Sequence, residues 1–375
     1  MTTTTHEPAH DSAQHAADPP PALGLGHRAR QILPEIAVPM LLPLTFVVFG
    51  ALTPALFLTT TNIRLTLIAQ AIPLLLAMAV TLTLRAGDID LSVAGVMIAS
   101  GALTGIASEH GASTLVACAI GLGAALLVGV VNAVFIVAIG LDSLIVTLGV
   151  FTALAGFTSW LTGSNLVTTV PQSLQTFSNQ PVAGLPVVVW LGWLVALVLW
   201  WVFEFTPFGR YLLFIGGNRA AGTLAGLRVD RLRVMCFVAG SLIAGLTGIL
   251  LAGSLGSVDP SSANAYLLAP ITAAFLGTTC IQLGRFNVVG TLVGLYLIAF
   301  GITGLQLLGY QGWVTDLFNG VALVVALTFA RYFEVMRNGQ LKLGRRRAAQ
   351  RKQRSVEQEA APTPPSTAGS SHPSE

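Results

Sequence analysis

The sequence predicts an all-α, polytopic membrane protein with about ten transmembrane helices and both termini in the cytoplasm. The prediction rests on a shortage of charge, long charge-free stretches and a one-sided distribution of basic residues. Of the 375 residues, 54% are hydrophobic and only 9% are charged, whereas about a quarter of the residues are charged in soluble domains. Residues 36–330 contain only eight basic and eight acidic side chains, too few to cover the surface of a soluble fold of this size.

The charge-free stretches divide into ten apolar segments. A bilayer crossing needs about 20 apolar residues in a helix. The third and eighth segments are short for a full crossing, so a tilted, broken or re-entrant helix is open for each. The ten segments lie near residues 36–57, 63–84, 91–108, 115–139, 143–161, 187–203, 234–252, 267–283, 288–308 and 313–330.

Basic residues set the orientation, because they concentrate on the cytoplasmic side of membrane proteins. With ten crossings and an internal N-terminus, eighteen of the nineteen Lys and Arg residues lie inside, and Arg64 is the exception. Nine of them lie between residues 331 and 354. We expect this run to contact lipid headgroups rather than nucleic acid.

Three regions follow from this pattern. Residues 1–35 are predicted to be a disordered cytoplasmic tail, because Thr, Ala, Pro and His dominate them. Residues 36–330 form the transmembrane domain. Residues 331–375 are a basic and then Pro- and Ser-rich tail, also predicted to be disordered at its end.

The composition excludes several kinds of site. Lysine occurs only at Lys342 and Lys352, so a GxxxxGK[ST] phosphate loop is not possible. His110 is the sole histidine of the transmembrane domain, which argues against zinc and Ser-His sites there. We therefore expect no catalytic residue, metal or cofactor in this chain. The three cysteines are predicted to be small buried hydrophobes: Cys118, Cys236 and Cys280.

The acidic residues lie at the edges of the predicted spans, and none lies at mid-span. Ion-coupled carriers usually have ionisable groups within their spans. This pattern favours a pathway for a neutral polar solute, with energy supplied by another protein, over an ion-coupled carrier. The pathway residues are not assigned, because four polar residues in or near spans could equally bond neighbouring helices: Asn132, Thr147, Gln306 and Asn319.

The longest cytoplasmic connection, residues 204–233, is predicted to contain a short helix outside the membrane. Asn218 is a favourable N-cap and Gly226 a favourable C-terminal stop. The small apolar face between them would fit a groove on a partner or rest on lipid, and the residues leave both possibilities open. That face consists of Ala220, Ala221, Leu224 and Ala225.

Four stretches contain motifs: AGDIDLSV at 86–93, LIVTLG at 144–149, TPFGR with GGN and AA…AG within 206–226, and AAFLGT through GR to GT within 273–291. In this order, they resemble permease subunits of bacterial ABC importers of the ribose and monosaccharide type, in the superfamily shared with branched-chain amino acid permeases. The resemblance extends over about residues 63–330.

The resemblance departs from the family pattern at five positions where glycine is expected, which leaves the transported solute open: Asp88, Ala94, Thr278, Leu283 and Phe286.

The resemblance implies two groups of site residues. An ATPase-coupling loop would comprise Gly209, Arg210, Gly216, Gly217, Asn218, Ala220, Ala221, Leu224 and Gly226. The family's motif loops would comprise Gly87, Asp88, Asp90, Ser92, Gly277, Gly284 and Arg285.

The resemblance also implies a function in the bacterial cytoplasmic membrane. The chain would move a monosaccharide such as ribose inward by alternating access. ATP and Mg would be bound by partner ATPase subunits, an extracytoplasmic binding protein would deliver the solute, and a second permease subunit, identical or different, would complete the pathway. Nucleosides, autoinducer-type compounds and branched-chain amino acids are the alternative solutes.

Two similar tetrapeptides, GDID at 87–90 and GRFN at 284–287, follow the second and eighth spans. They could be the trace of an internal parallel repeat. The favoured interpretation is simpler, namely that Asp90 and Asn287 are N-caps of the helices that follow.

Overall fold

Helices account for most of the chain, as expected where backbone groups in lipid must be satisfied within their own segment. The computed structural model describes residues 25–310 and 312–329, with side chains from residue 39 onward. The α-helices are, in order, α1 (Leu25–Leu52), α2 (Thr60–Ala69), α3 (Ala71–Arg85), α4 (Val93–Glu109), α5 (Thr114–Ala133), α6 (Ser143–Thr162), α7 (Gln172–Asn179), α8 (Val187–Phe205), α9 (Pro207–Gly217), α10 (Arg219–Leu224), α11 (Val229–Leu255), α12 (Leu268–Gly277), α13 (Val288–Leu307) and α14 (Trp313–Phe329).

The remaining regular elements are small. Helix α5 continues as a π-helix at Val134–Ala138, and a 3-10 helix at Ser262–Tyr266 precedes α12. Strands β1 (Pro181–Val182) and β2 (Leu185–Pro186) form an antiparallel hairpin just before α8.

Every predicted span overlaps one or two apolar helices, whereas the number of crossings stays a prediction. Among the described residues, α5 with its π extension, α6, α8, α11 and α13 are long and apolar enough to cross a membrane. The pair α2–α3, bent by 44° between its two halves, is a sixth candidate. The third and eighth segments are among the shorter helices, as predicted: α4 has 17 residues and α12 has 10.

The prediction of a disordered tail as far as residue 35 is wrong in its last part, because α1 begins at Leu25. Residues 27–33 contain neither Gly nor Pro, and Ala, Arg, Gln and Leu among them are strong helix formers. The predictions for residues 1–24 and 330–375 lie outside the described residues.

The centre of the bundle is built from α3, α4 and α11. Helix α3 is buried along almost its whole length, and α4 packs against α5, α6 and α11. Glycines allow α4 and α11 to touch through their backbones. A Cβ atom at Gly101 would lie 2.7 Å from the carbonyl oxygen of Gly248, and one at Gly248 would overlap the carbonyl of Met97. Small residues at such crossings are how helices pack closely in lipid.

The outer helices present large apolar side chains to their surroundings. Leu115 on α5 is 84% exposed, Trp160 on α6 is 75% exposed and Leu197 on α8 is 57% exposed. Apolar surface of this extent is unusual on a soluble monomer. This exposed apolar surface and the long apolar helices fit an all-α, multi-pass membrane protein.

A glycine pair tests this packing. We expect Gly248→Ala to lower the melting temperature in detergent by several degrees, because forcing an extra methyl group into a packed crossing costs about 1–3 kcal/mol. Gly123→Ala on α5 is the matched control, since a Cβ there meets nothing within 4 Å. Equal melting temperatures for the two variants would contradict the close α4–α11 contact.

Candidate functional site

The motif stretches converge on the loop between α3 and α4, residues 86–92. Gly87 turns the chain after α3 with φ at +82°, a conformation that glycine adopts without strain. This turn directs two carboxylates inward, so that Asp88 is 2% exposed and Asp90 is fully buried. Buried carboxylates require compensating partners.

Asp88 finds its partners in two arginines from distant parts of the chain. Arg233 donates from Nε to Oδ2 and from Nη2 to Oδ1, both at 2.8 Å. Arg219 donates from Nη2 to Oδ1 at 2.8 Å and to the carbonyl oxygen of Gly87 at 2.7 Å. We refer to Asp88, Arg219 and Arg233 as the Asp88 cluster. The cluster joins the α3–α4 loop to the first residue of α10 and to the start of α11.

Arg85, the last residue of α3, makes a second junction at the same end of the bundle. Its guanidinium donates to the carbonyl oxygens of Phe286 at 3.0 Å, Phe203 at 3.3 Å and Gly209 at 3.4 Å. It also lies 4.3 Å from the centre of the Phe203 ring and 4.0 Å from the carboxylate of Glu204. Arg85 therefore links α3 to the end of α8, to α9 and to the α12–α13 loop.

Asp90 begins a buried chain of hydrogen bonds rather than capping α4. Its Oδ1 accepts from the backbone N–H of Ser92 at 2.9 Å and from the Ser92 hydroxyl at 2.6 Å, and Asn132 donates to that hydroxyl at 2.8 Å. The predicted N-cap role is wrong, because Ser92 directly precedes α4 and Asp90 closes a turn two residues earlier. Burial raises the pKa of Asp90 to about 6.

The second motif stretch, 144–149, lies on α6 and supports the same loop. The hydroxyl of Thr147 accepts from the backbone N–H of Leu91 at 3.1 Å, and the hydroxyl of Ser143 accepts from that of Ile89 at 3.2 Å. Thr147 and Asn132 thus bond to a neighbouring element, which is one of the two roles that the sequence left open for them.

The third stretch contains a helix that we did not predict. Helix α9 begins where Thr206 caps it by accepting from the N–H of Gly209, with Pro207 at its first position. Leu212 and Ile215 are buried three residues apart beyond Gly209. The Thr-Pro start and this spacing are sequence signals that could have revealed α9.

Helix α10 has the boundaries that the sequence indicated. The side chain of Asn218 accepts from the N–H of Ala221 at 3.0 Å, which confirms the predicted N-cap. Gly226 has φ at +78° just past the helix end, as a C-terminal stop requires. Leu224 is 91% exposed, and Ala220 is exposed beside it.

The fourth stretch is organised by Asn287. This residue caps α13 by accepting from the N–H of Gly290 at 2.6 Å, as predicted. Its amide donates to the carbonyl oxygens of Gly277 at 3.1 Å and Arg285 at 3.0 Å. Gly277 packs directly against α13, where a Cβ would meet the backbone of Thr291. Its role in the structure is therefore close helix packing.

A cavity of about 660 Å³ opens where three of these stretches meet. Arg210 and Arg285 are exposed at it, and Arg85 forms part of its wall. Asp88, Asp90, Ser92 and Gly277 lie outside its lining, as do the residues of α10. Predicted site residues that line it are Gly87, Arg210, Gly216, Gly217, Asn218, Gly284 and Arg285.

Across the part of the chain that the structure describes, no three His, Cys, Asp or Glu side chains are grouped so that they could hold a metal ion.

The buried carboxylate of Asp90 predicts a pH dependence. Its pKa is about 6 in the folded chain against an ordinary 3.8. Between these two pH values, the folded state therefore binds more protons than the unfolded state. Stability should therefore fall as the pH rises from about 4 to 6. We expect Asp90→Asn, which keeps an acceptor for Ser92, to remove this part of the slope in thermal melts in detergent.

The exposed Asp142→Asn is the matched control and should keep the slope. An unchanged slope in Asp90→Asn would contradict the assignment.

Known proteins place the chain in a family. The sequence profile of the family described as "Branched-chain amino acid transport system / permease component" matches residues 62–327. The ribose import permease protein RbsC of Escherichia coli (strain K12) is 31% identical over 278 residues, covering 72% of this chain and 86% of that protein. RbsC of Bacillus subtilis (strain 168) is 31% identical over 287 residues, covering 76% and 89%.

The D-allose transport system permease protein AlsC of Escherichia coli (strain K12) is 27% identical over 294 residues, covering 78% of this chain and 90% of that protein. No solved structure gives a significant match. The profile covers most of the bundle and all four motif stretches. The chain therefore belongs to this family of transport-system permease components, together with the ABC sugar permeases that it resembles.

Proposed function

We propose that the chain is the transmembrane subunit of an ATP-driven importer and moves a monosaccharide such as ribose inward by alternating access. The observation that carries this proposal is the placement of α10. Its Leu224 is 91% exposed, while its first residue, Arg219, is bonded to the buried Asp88. A helix exposed on one side and tied to the core on the other suits the transmission of motion from a docked partner.

The proposed partners follow from this arrangement. ATPase subunits that bind ATP and Mg would dock against α10, and a solute-binding protein would deliver the sugar from the opposite face. A second permease subunit would complete the pathway in the bacterial cytoplasmic membrane. This chain would have no ATPase site, cofactor or nucleic-acid partner of its own. The names of the relatives, which transport ribose and allose, support the sugar class.

Charge placement supports an external energy source. Apart from Glu35, which lies in α1 just before the first predicted span, every acidic residue within the described ranges lies in a loop or within a few residues of a helix end, as Glu109 on α4 and Asp230 on α11 illustrate. The predicted spans have no acidic or basic residue near their middle, where the carboxylates of a proton or sodium relay usually lie. ATP-driven motion of α10 can shift the bundle only if the partner binds α10 differently in the two states.

Orientation can be tested with single cysteines at the two ends of α8. Val182 in the hairpin before α8 is 45% exposed, and Leu224 lies beyond its other end. With the half-buried Cys118 replaced by Ala, we expect a membrane-impermeant maleimide to label Val182→Cys in intact cells. It should label Leu224→Cys only after permeabilisation. The reverse pattern would contradict the proposed topology.

Transport can be tested in proteoliposomes that contain the chain, its ATPase and its binding protein, with radiolabelled ribose as the probe. We expect ribose import that requires ATP. Import that follows an ion gradient without ATP would contradict the proposal and favour the secondary carrier. Import of a labelled nucleoside or leucine instead of ribose would retain the ATP-driven mechanism and change the solute.

Gly217→Trp tests the coupling loop. Gly217 lines the open cavity and a Cβ there meets nothing within 4 Å, so the added ring should fit without disturbing the fold. Ala221 is half-buried, so a large side chain there would also disturb local packing. We expect ATP hydrolysis to continue while import falls by about 5- to 150-fold, the usual range of coupling between sites.

Gly312→Trp is the matched control, because Gly312 is exposed, also meets nothing within 4 Å and lies in the α13–α14 connection, on the predicted outer face. Import at the wild-type rate by Gly217→Trp would contradict the assignment of the coupling loop.

A further inference from the structure

The two halves of the Asp88 cluster differ in burial. The Asp88 side chain is 2% exposed and that of Arg233 is 11% exposed, so their two-bond contact is closed off from solvent. The side chain of Arg219 is 42% exposed. Water can therefore replace Arg219 at the carboxylate, whereas Arg233 has no such replacement. The cluster has a fixed half, Asp88–Arg233, and a separable half, Asp88–Arg219.

The separable half determines how α10 is held. Helix α10 has only six residues, too few to be stable without outside contacts. Among the described residues, its inward contact is made by Gly222 against Ile215 and Val229, in the elements that directly flank it along the chain. The side chain of Arg219 donates the hydrogen bonds that reach from α10 to the α3–α4 loop.

The fixed half leads into the centre of the bundle. Asp88 lies in the loop that leads into α4, and Arg233 lies in α11, the two helices whose backbones touch at Gly101 and Gly248. A displacement of the Asp88 carboxylate therefore acts on both central helices. Charge-assisted, two-point bonds of this kind fix orientation as well as distance.

We propose that the Asp88 cluster is the link through which α10 moves α4 and α11, with Asp88 as the positioning residue that joins them. This inference rests on the proposed function, in which α10 receives motion from an ATPase. The Arg219–Asp88 bond differs in strength between the two states of the transport cycle.

The first test compares two arginines of one segment in the reconstituted importer, with labelled ribose as the probe. Arg219→Gln should assemble with the ATPase and hydrolyse ATP, but should import about 5- to 150-fold less ribose per ATP. Arg228→Gln is the matched control, because Arg228 is exposed and forms no ion pair with a described residue. It should import at the wild-type ratio.

A double-variant cycle separates a coupling role from a structural one. If Arg219 acts through Asp88, Asp88→Asn combined with Arg219→Gln should import no less per ATP than Asp88→Asn alone. If Asp88→Asn does not fold, because Arg233 is left buried without a carboxylate, the single variant Arg219→Lys is used in place of the double-variant cycle. Lysine keeps the charge but loses the planar fork, and it should restore part of the import that Arg219→Gln loses.

The outcomes distinguish this inference from the function on which it rests. Absence of ATP-driven import by the wild-type chain would overturn the proposed function, and the link would fall with it. Normal wild-type import, together with an unchanged ribose-to-ATP ratio in Arg219→Gln, would overturn the link alone. Additive losses in the double variant would likewise show that Arg219 does not act through Asp88.

Discussion

The backbone contact between α4 and α11 is the constraint on which the rest of the bundle depends. Gly101 and Gly248 allow the two helices to approach so closely that no Cβ fits between them. Because membrane helices gain little from burying apolar surface against one another, such packing is a main source of their association. The crossing fixes the start of α4 beside α11, and this places the Asp88 loop within reach of Arg233.

Among the described residues, the ion pairs lie at one end of this bundle, where they join loops. The Asp88 carboxylate accepts hydrogen bonds from Arg219 and Arg233. Arg85 donates to three backbone carbonyl oxygens, in the α8–α9 corner and the α12–α13 loop. All four motif stretches therefore meet in one region, although they are spread over most of the chain. Among the described residues, the buried polar side chains in the middle of the bundle carry hydroxyl or amide groups. Such groups suit a pathway for a neutral solute rather than for an ion.

Local chemistry was predictable from the sequence, and distant pairing was not. The caps at Asn218 and Asn287 depend on backbone groups three residues away, and both predictions are correct. The same reasoning failed at Asp90. The backbone N–H of Ser92 donates to the Asp90 carboxylate, and Ser92 rather than Asp90 directly precedes α4. Helix α9 was missed although Thr206 and Pro207 mark its start.

The partners of Asp88 illustrate what sequence alone cannot supply. Arg219 and Arg233 lie 131 and 145 residues further along the chain, and several other arginines of the same loop were equally available by composition. In the fold, α11 brings Arg233 to Asp88 and α10 brings Arg219 to it. The apolar segments were predictable because each extends over many residues, whereas the number that cross the bilayer depends on tilt and on bends such as that between α2 and α3.

Docking of an ATPase on α10 can be tested with a photo-crosslinking amino acid placed at Leu224 of the chain in its native membrane. We expect an adduct with a protein that contains a GxxxxGK[ST] phosphate loop, identified by mass spectrometry. The same probe at Val182 should give no such adduct. If the Leu224 probe reacts only with lipid while the chain is inserted and imports its solute, then α10 is a connector on the membrane surface and does not transmit motion from an ATPase.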